Sequence, residues 1–198
     1  MGFAFHPATH IYTLDGCRLP SVSEVCEAMG IVSVNGIDPA VLHIAAQRGK
    51  GVHLAIRDHF EGRLDMAALA PELAPYVAAA VRFCEESHFV PDLWEQPCAD
   101  PALRYAGTPD AAGGLAGTPT VIDWKAVHEL RPGYAVGLAA YARLLDVHYD
   151  YKVTQRVLVQ LRPDGTYRVQ RCQDRHDEAE FRAALFLYQR RQARNGGR

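Results

Sequence analysis

Two short stretches carry the residue types that hydrolytic chemistry uses, at a spacing that lets them meet. The first is Gly107-Thr108-Pro109-Asp110; the second is Asp123-Trp124-Lys125, with twelve residues between the two aspartates. Thr120-Val121-Ile122-Asp123-Trp124 reads as the strongest strand of the middle region. Side chains alternate along a strand, so Asp123 and Lys125 share one face and Trp124 takes the other. Asp110 sits on a turn that Pro109 stiffens, and a fold-back of the chain between them as a hairpin lets both carboxylates converge on one divalent cation. Two carboxylates and waters suit Mg2+ or Mn2+, hard ions that favour oxygen ligands. Such an ion lowers the pKa of a bound water, orients it and stabilises charge developing on a phosphate. Lys125 then adds positive charge at the reacting group. An Asp-x-Lys triplet alone is a weak signal in a chain of this length. At the end of an apolar strand, behind a Pro-Asp turn at hairpin distance, it is much more specific.

Spelled as Pro109-Asp110, twelve residues, Asp123-Trp124-Lys125, this segment resembles the PD-(D/E)xK nuclease superfamily. The resemblance implies a restriction-endonuclease-like core, an α/β (α+β) fold with a central mixed β-sheet flanked by helices. It implies DNA as substrate, Mg2+ or Mn2+ as cofactor, and Asp110, Asp123 and Lys125 as the catalytic cluster. Arg48-Gly49-Lys50-Gly51-Val52-His53 is similar to the RecB-like branch, where an Arg-Gly-x-x-x-His run on a helix supplies a metal-ligand histidine. On that resemblance His53 joins Asp110 and Asp123 as a ligand. Without it, a histidine beside the apolar stripe Val52, Ile56 and Phe60 reads as a partly buried structural residue. The family often places an acid on the strand before the Pro-Asp turn, and Glu95 stands there, as a further ligand or as an exposed edge residue. His10-Ile11-Tyr12-Thr13-Leu14-Asp15-Gly16 with Leu19-Pro20-Ser21-Val22-Ser23 resembles the entry to RecB-like exonucleases found in phages and organellar DNA maintenance.

One position departs from that pattern. The branch carries Gln-x-x-x-Tyr on the helix after the catalytic strand, and here Tyr141 matches while Gly137 replaces the glutamine. A glycine inside a helix costs about 1 kcal/mol relative to alanine, which points to close approach of another group, a DNA strand among the options. Of the aromatics near the site, Trp124 reads as core; Tyr134 and Tyr141 stack on bases or pack. The cysteines form no CxxC pair, so neither a disulfide framework nor a zinc or iron–sulfur site is expected. No phosphate-binding P-loop is present, which excludes a helicase motor.

The elements that must position these residues read as follows. Phe3-Ala4-Phe5 and His10–Leu14 are strand-like runs with Asp15-Gly16 as a turn, a hairpin. Ser21 and Glu24 form a capping box opening a helix that stops near Gly30. Asp38-Pro39 starts a second helix, interrupted near Gly49 and Gly51 and continuing to about Glu61. Pro71 to His88 is a third. Strands are expected at Leu93–Cys98 and Leu103–Ala106, then a Gly-rich turn from Gly107 to Gly117, then the Thr120–Trp124 strand. A helix over Pro132–Leu145, strands at Val153–Leu161 and Thr166–Arg171 about a Pro163-Asp164-Gly165 turn, and a helix over Asp177–Arg194 complete the chain. Helices first and then βββ-α-ββ-α describes a single nuclease domain over 1–198, with the N-terminal hairpin and helices to residue 90 and the catalytic sheet from 91.

Bulk properties are compatible with this. A 48% hydrophobic composition over 198 residues supports a sizeable core, and no apolar run approaches the roughly 20 residues that span a bilayer. The opening residues show neither a basic nor a long apolar leader region, so a cytoplasmic location is expected. Net charge is −2, but residues 1–149 hold ten Lys and Arg against seventeen Asp and Glu, and residues 150–198 hold eleven against six. The acidic part suits metal-binding carboxylates. The basic part, with Arg182, Arg190, Arg191 and Arg194, either meets phosphates or is a solvated helix face. With Arg48 and Tyr141 of the motifs that carry the resemblance, Arg190, Arg191 and Arg194 are the candidate substrate contacts. The resemblance implies a metal-dependent DNA exonuclease of phage or bacterial recombination and repair. A structure-specific endonuclease and an inactive DNA-binding or interaction module are the alternatives. Single- or double-stranded DNA ends, a recombination or single-strand annealing protein and further copies of the chain are the expected partners, and no membrane.

Overall fold

The computed structural model describes residues 2–33 and 36–195. It opens with an antiparallel meander of β1 (Phe3–His6), β2 (Ile11–Leu14) and β3 (Cys17–Leu19). Asp15 and Gly16 turn the chain at φ 51° and 76°, but they join β2 to β3, while Pro7–His10 joins β1 to β2. The expected hairpin is thus a three-stranded sheet. Tyr12, Leu14 and Leu19 bury one face of it against Ala99 and Ala106.

Ser21 caps α1 (Val22–Ala28), its Oγ accepting the Glu24 amide at 3.1 Å. Only half of the capping box forms, because the Glu24 carboxylate is taken by Arg18 at 3.0 Å and by the Tyr188 hydroxyl. Asp38 caps α2 (Pro39–Phe60) through the Ala40 amide at 2.7 Å. The helix runs unbroken through Gly49 and Gly51, contrary to the expected interruption. Burial of Val52, Ala55 and Ile56 in the second half of α2 offsets the weaker propensity, and Gly51 faces Leu73, whose Cδ1 would stand 3.1 Å from an added Cβ. α3 (Ala74–Ser87) begins three residues later than the sequence suggests and ends on His88 at φ 53°.

The largest correction concerns the middle of the chain. Strands there are β4 (Phe89–Trp94), β5 (Cys98–Asp100), β6 (Tyr105–Gly107), β7 (Ala111–Leu115) and β8 (Thr118–Lys125). The stretch expected as a Gly-rich turn has β7 at its centre, and the turn itself shrinks to Ala116-Gly117, both at positive φ. Gly113 is a strand residue because β4 crowds it. An added Cβ would run into the Val90 carbonyl oxygen and lie 2.7 Å from the Pro91 Cα, beside a register shift between Pro91 and Leu93. Glycine inside a strand marks this kind of backbone approach.

After β8 come α4 (Gly133–Tyr149), β9 (Gln155–Leu161), β10 (Tyr167–Arg171) and α5 (Asp177–Asn195). The main sheet has the order β10-β9-β8-β7-β4, with β8 and β9 parallel and the other neighbours antiparallel. This is the mixed sheet flanked by helices that was expected. Ile122 and Trp124 of β8 pack into a core with Val52, Ile56, Val77 and Phe83 of α2 and α3. Val121, on the opposite face, packs with Leu138 and Leu145 of α4. α1 and α5 close over α4 through Val25, Leu144, Phe181 and Tyr188. No helix among the described residues is long and apolar enough to cross a membrane.

Candidate active site

The register of the β7–β8 hairpin pairs Ala111 with Ile122, so the next position outward sets Asp110 against Asp123. The hairpin expected from the spacing alone therefore forms, with a strand where a loop was anticipated. Asp123 and Lys125 follow Val121 on the α4 side of the sheet, and Lys125 Nζ lies 2.7 Å from Asp123 Oδ2. Trp124 is 1% exposed on the other face, stacked on Trp94 and edge-on to Phe83. Its backbone nitrogen donates to Asp110 Oδ2 at 2.8 Å. The chain beyond β8 is tied down by Gln160 of the adjacent β9, whose Nε2 donates to the carbonyls of Val127 and His128 at 3.0 and 2.7 Å.

His53 reaches the same place from α2, its Nδ1 3.0 Å from Asp110 Oδ1 and donating to it. Burial opposes charge on His53, but the Asp110 carboxylate outweighs it and raises the imidazole pKa. Burial likewise opposes charge on Asp110, yet His53, Lys125 and the Trp124 amide together hold its pKa below the ordinary value. Asp123 goes the other way. Burial and the neighbouring Asp110 push it up to about 6, against the pull of Lys125. Lys125 loses solvation too, but the two carboxylates raise its pKa and keep it an ammonium. The centre is thus a compact alternation of charges on β8, the residue just before β7 and one helix.

Glu95 lies just past β4 at φ 41°, and its amide donates to the Asp110 carbonyl at 3.0 Å. Its carboxylate is claimed by Arg57 Nη1 at 2.7 Å, while burial raises its pKa against that pull. Arg57 was missed in the sequence, although it stands four residues after His53 and so one helical turn along the same face. Arg48 Nη2 donates to the Ala126 carbonyl at 3.3 Å, next to Lys125, and its guanidinium lies over the Tyr76 ring. Tyr141 borders the site with Asp123 and Lys125; burial and the two aspartates raise its pKa well above the ordinary value, keeping it a neutral phenol. Tyr134, which the sequence left open, holds its ring 5.0 Å from Lys125 Nζ. Arg190, Arg191 and Arg194 are exposed on α5, whose main packing is against α4 and α1, so the structure does not bring them together with the carboxylates. Close approach at Gly137 is not made by the protein. An added Cβ would meet Val22 Cγ1 at 3.6 Å and Cys26 Sγ at 3.8 Å, ordinary contacts, whereas Gly133 is pressed against the Ile31 carbonyl.

The donor chemistry fits a hard dication. Among the described residues no three His, Cys, Asp or Glu side chains converge as a ready cage. Mg2+, however, is commonly held by one or two carboxylates and its own waters. Asp123 Oδ2 is buried with Lys125 Nζ at 2.7 Å as its partner, and a carboxylate oxygen with one such contact keeps a lone pair for a cation beside Asp110.

No family model matches the chain, and no curated protein matches it. Among solved structures it is similar to the alkaline exonuclease LHK-Exo from Laribacter hongkongensis, at 15% identity and TM-score 0.47 over 88% of this chain and 93% of that one. The same enzyme in complex with dAMP gives 16% identity and TM-score 0.47 over 89% and 94%. The crystal structure of SSO0001 gives 12% identity and TM-score 0.40 over 85% and 75%. Likenesses this distant leave the functional reading to the site itself.

Proposed function

We propose that this chain is a divalent-metal-dependent deoxyribonuclease hydrolysing phosphodiester bonds, and specifically an exonuclease. The observation that carries the reading is the β7–β8 register, which sets Asp110 against Asp123 with the Lys125 ammonium 2.7 Å from the latter. Asp110 and Asp123 would hold Mg2+ or Mn2+, with His53 as an orienting partner of Asp110 and a further ligand. The bound ion supplies an activated water and positive charge at the phosphate. Lys125, fixed by Asp123 and kept charged by both carboxylates, places a cation beside the scissile group. The His53 and Trp124 hydrogen bonds hold both Asp110 oxygens in place, so the carboxylate is aimed before substrate arrives. Exonuclease action and a role in DNA recombination or repair rest on the RecB-like residues of the sequence.

The test is digestion of end-labelled single- and double-stranded DNA and of closed circles, in Mg2+ and in Mn2+. We expect release of label from free ends and intact circles. Asp110→Asn, Asp123→Asn and Lys125→Ala, checked for folding by circular dichroism, should each lose at least about a hundredfold in rate. Near-full activity in any of the three removes that residue from the centre, and cut circles would make the enzyme an endonuclease.

A further inference from the structure

Between α1 and α4, opening on the carboxylates, lies a recess of about 150 Å3. Asp123 and Lys125 form one end of it, Tyr134 and Tyr141 contribute aromatic rings, and Val22 and Cys26 supply apolar wall. Gly137 lines it as well, and with nothing beyond Cα the helix leaves this space open. We propose that the recess receives the nucleobase attached to the scissile phosphate, a site that rests on the nuclease reading above.

Size, charge and wall chemistry agree on that occupant. A cavity of about 150 Å3 is of the size that takes up one aromatic ring. Among the described residues the one cation in the wall, Lys125, is committed to Asp123, and Glu27 adds a second carboxylate. Away from the Asp123–Lys125 end, where the phosphate belongs on the nuclease reading, the lining is apolar, aromatic, hydroxyl or acidic and suits an uncharged group. A base offers flat faces to the tyrosine rings, a contact available to every base. Its edge meets Ser23 and Glu27, and a carboxylate there accepts a hydrogen bond from an exocyclic amine. Cytosine, adenine and guanine carry that amine and thymine does not, so the recess disfavours thymine. Gly137 is then a specificity position: its missing side chain makes the room.

The experiment has two arms that fail separately. In the first, 2′-deoxycytidine and thymidine, which carry no phosphate, are titrated into the intact protein without metal and followed by NMR shifts of the aromatic resonances. Saturable binding of deoxycytidine, weaker for thymidine, is expected. A graded series Gly137→Ala, Gly137→Val and Gly137→Leu should weaken it in order of side-chain size, reaching at least tenfold at leucine. Glu27→Gln should narrow the difference between the two nucleosides. In the second arm, oligonucleotides with cytosine or an abasic residue at the cleaved position are digested. The intact base should be favoured about tenfold by the wild type, and Gly137→Leu should bring the ratio to about one. Binding indifferent to the size of residue 137, or equal cleavage of abasic and normal substrates by the wild type, overturns the proposal. If no oligonucleotide is cut while nucleoside binding and its dependence on residue 137 persist, the nuclease reading falls and the base site stands.

Discussion

Removing the positive charge from the centre is the most informative single perturbation. Lys125→Met keeps the length and apolar stem of the side chain and deletes an ammonium 2.7 Å from Asp123 Oδ2. At that separation, with an effective dielectric constant of about 20, the Coulomb attraction is about 6 kcal/mol. Lys125 keeps 22% of its side chain exposed, so water entering the vacated space returns part of this. Measured effects of one opposite charge on a carboxylate amount to about 1–3 pH units. Asp123 already sits at about 6 because burial and Asp110 outweigh the lysine, and the variant should raise it to about 7–9. A cation binds the ionised carboxylate, so Mg2+ affinity of the wild type falls as pH drops through about 6, and in the variant it falls through the higher midpoint. At pH 7 protonation withholds about tenfold of the variant's affinity for each unit by which its midpoint exceeds 7, against the tighter grip of its ionised form. Well above that midpoint the order reverses, because the site has gained a net negative charge. Carbon-13 titration of the aspartate carboxyls without metal, with calorimetry of Mg2+ binding from acid to alkaline pH, reads both effects. A midpoint that stays or moves down would refute the charge balance described for this centre. Lys125→Arg should keep the midpoint near that of the wild type.

His53→Ala removes the partner of Asp110 Oδ1 and should cost about 10–100-fold in divalent affinity by calorimetry, with Mn2+ hit harder than Mg2+ because nitrogen is the softer donor. Equal losses for both ions would reduce His53 to an orienting group, and unchanged affinity would return it to packing. Gly113→Ala should lower the melting temperature by at least about 4–8 °C, the equivalent of about 2 kcal/mol or more in a chain this size, since β4 backbone occupies the methyl's space. Gly137→Ala should raise it by about 2–4 °C; a swap of these two responses would contradict the packing of β4 and α4. In an Asp123→Asn background, changing Arg190, Arg191 and Arg194 to Gln should flatten the salt dependence of DNA binding by about 0.9 for each phosphate no longer neutralised. An unaltered slope would make that surface of α5 a solvated face.

The placement of the candidate residues was legible in the sequence because it is local. Side-chain alternation alone put Asp123 and Lys125 on one face and Trp124 in the core, and both placements hold. Serine and aspartate caps marked the starts of α1 and α2, since capping depends on a side chain and the next two or three amides. What the sequence misplaced depends on neighbours distant along the chain. The glycines of β7 imitate a turn until β4 is laid beside them. Gly49 and Gly51 imitate a break until α2 buries its second half. The capping box is undone by Tyr188, 164 residues away, and the pairing of Glu95 with Arg57 of α2 was not foreseen. Residue types and strand period determined which groups carry charge and which face they share. Only the tertiary structure decided that Asp110 stands against Asp123, that His53 closes on it from a helix, and that Gly137 opens a space beside them. Hairpin register, helix docking and cavities are set by long-range packing, whose burial energy outweighs the local propensities a sequence displays.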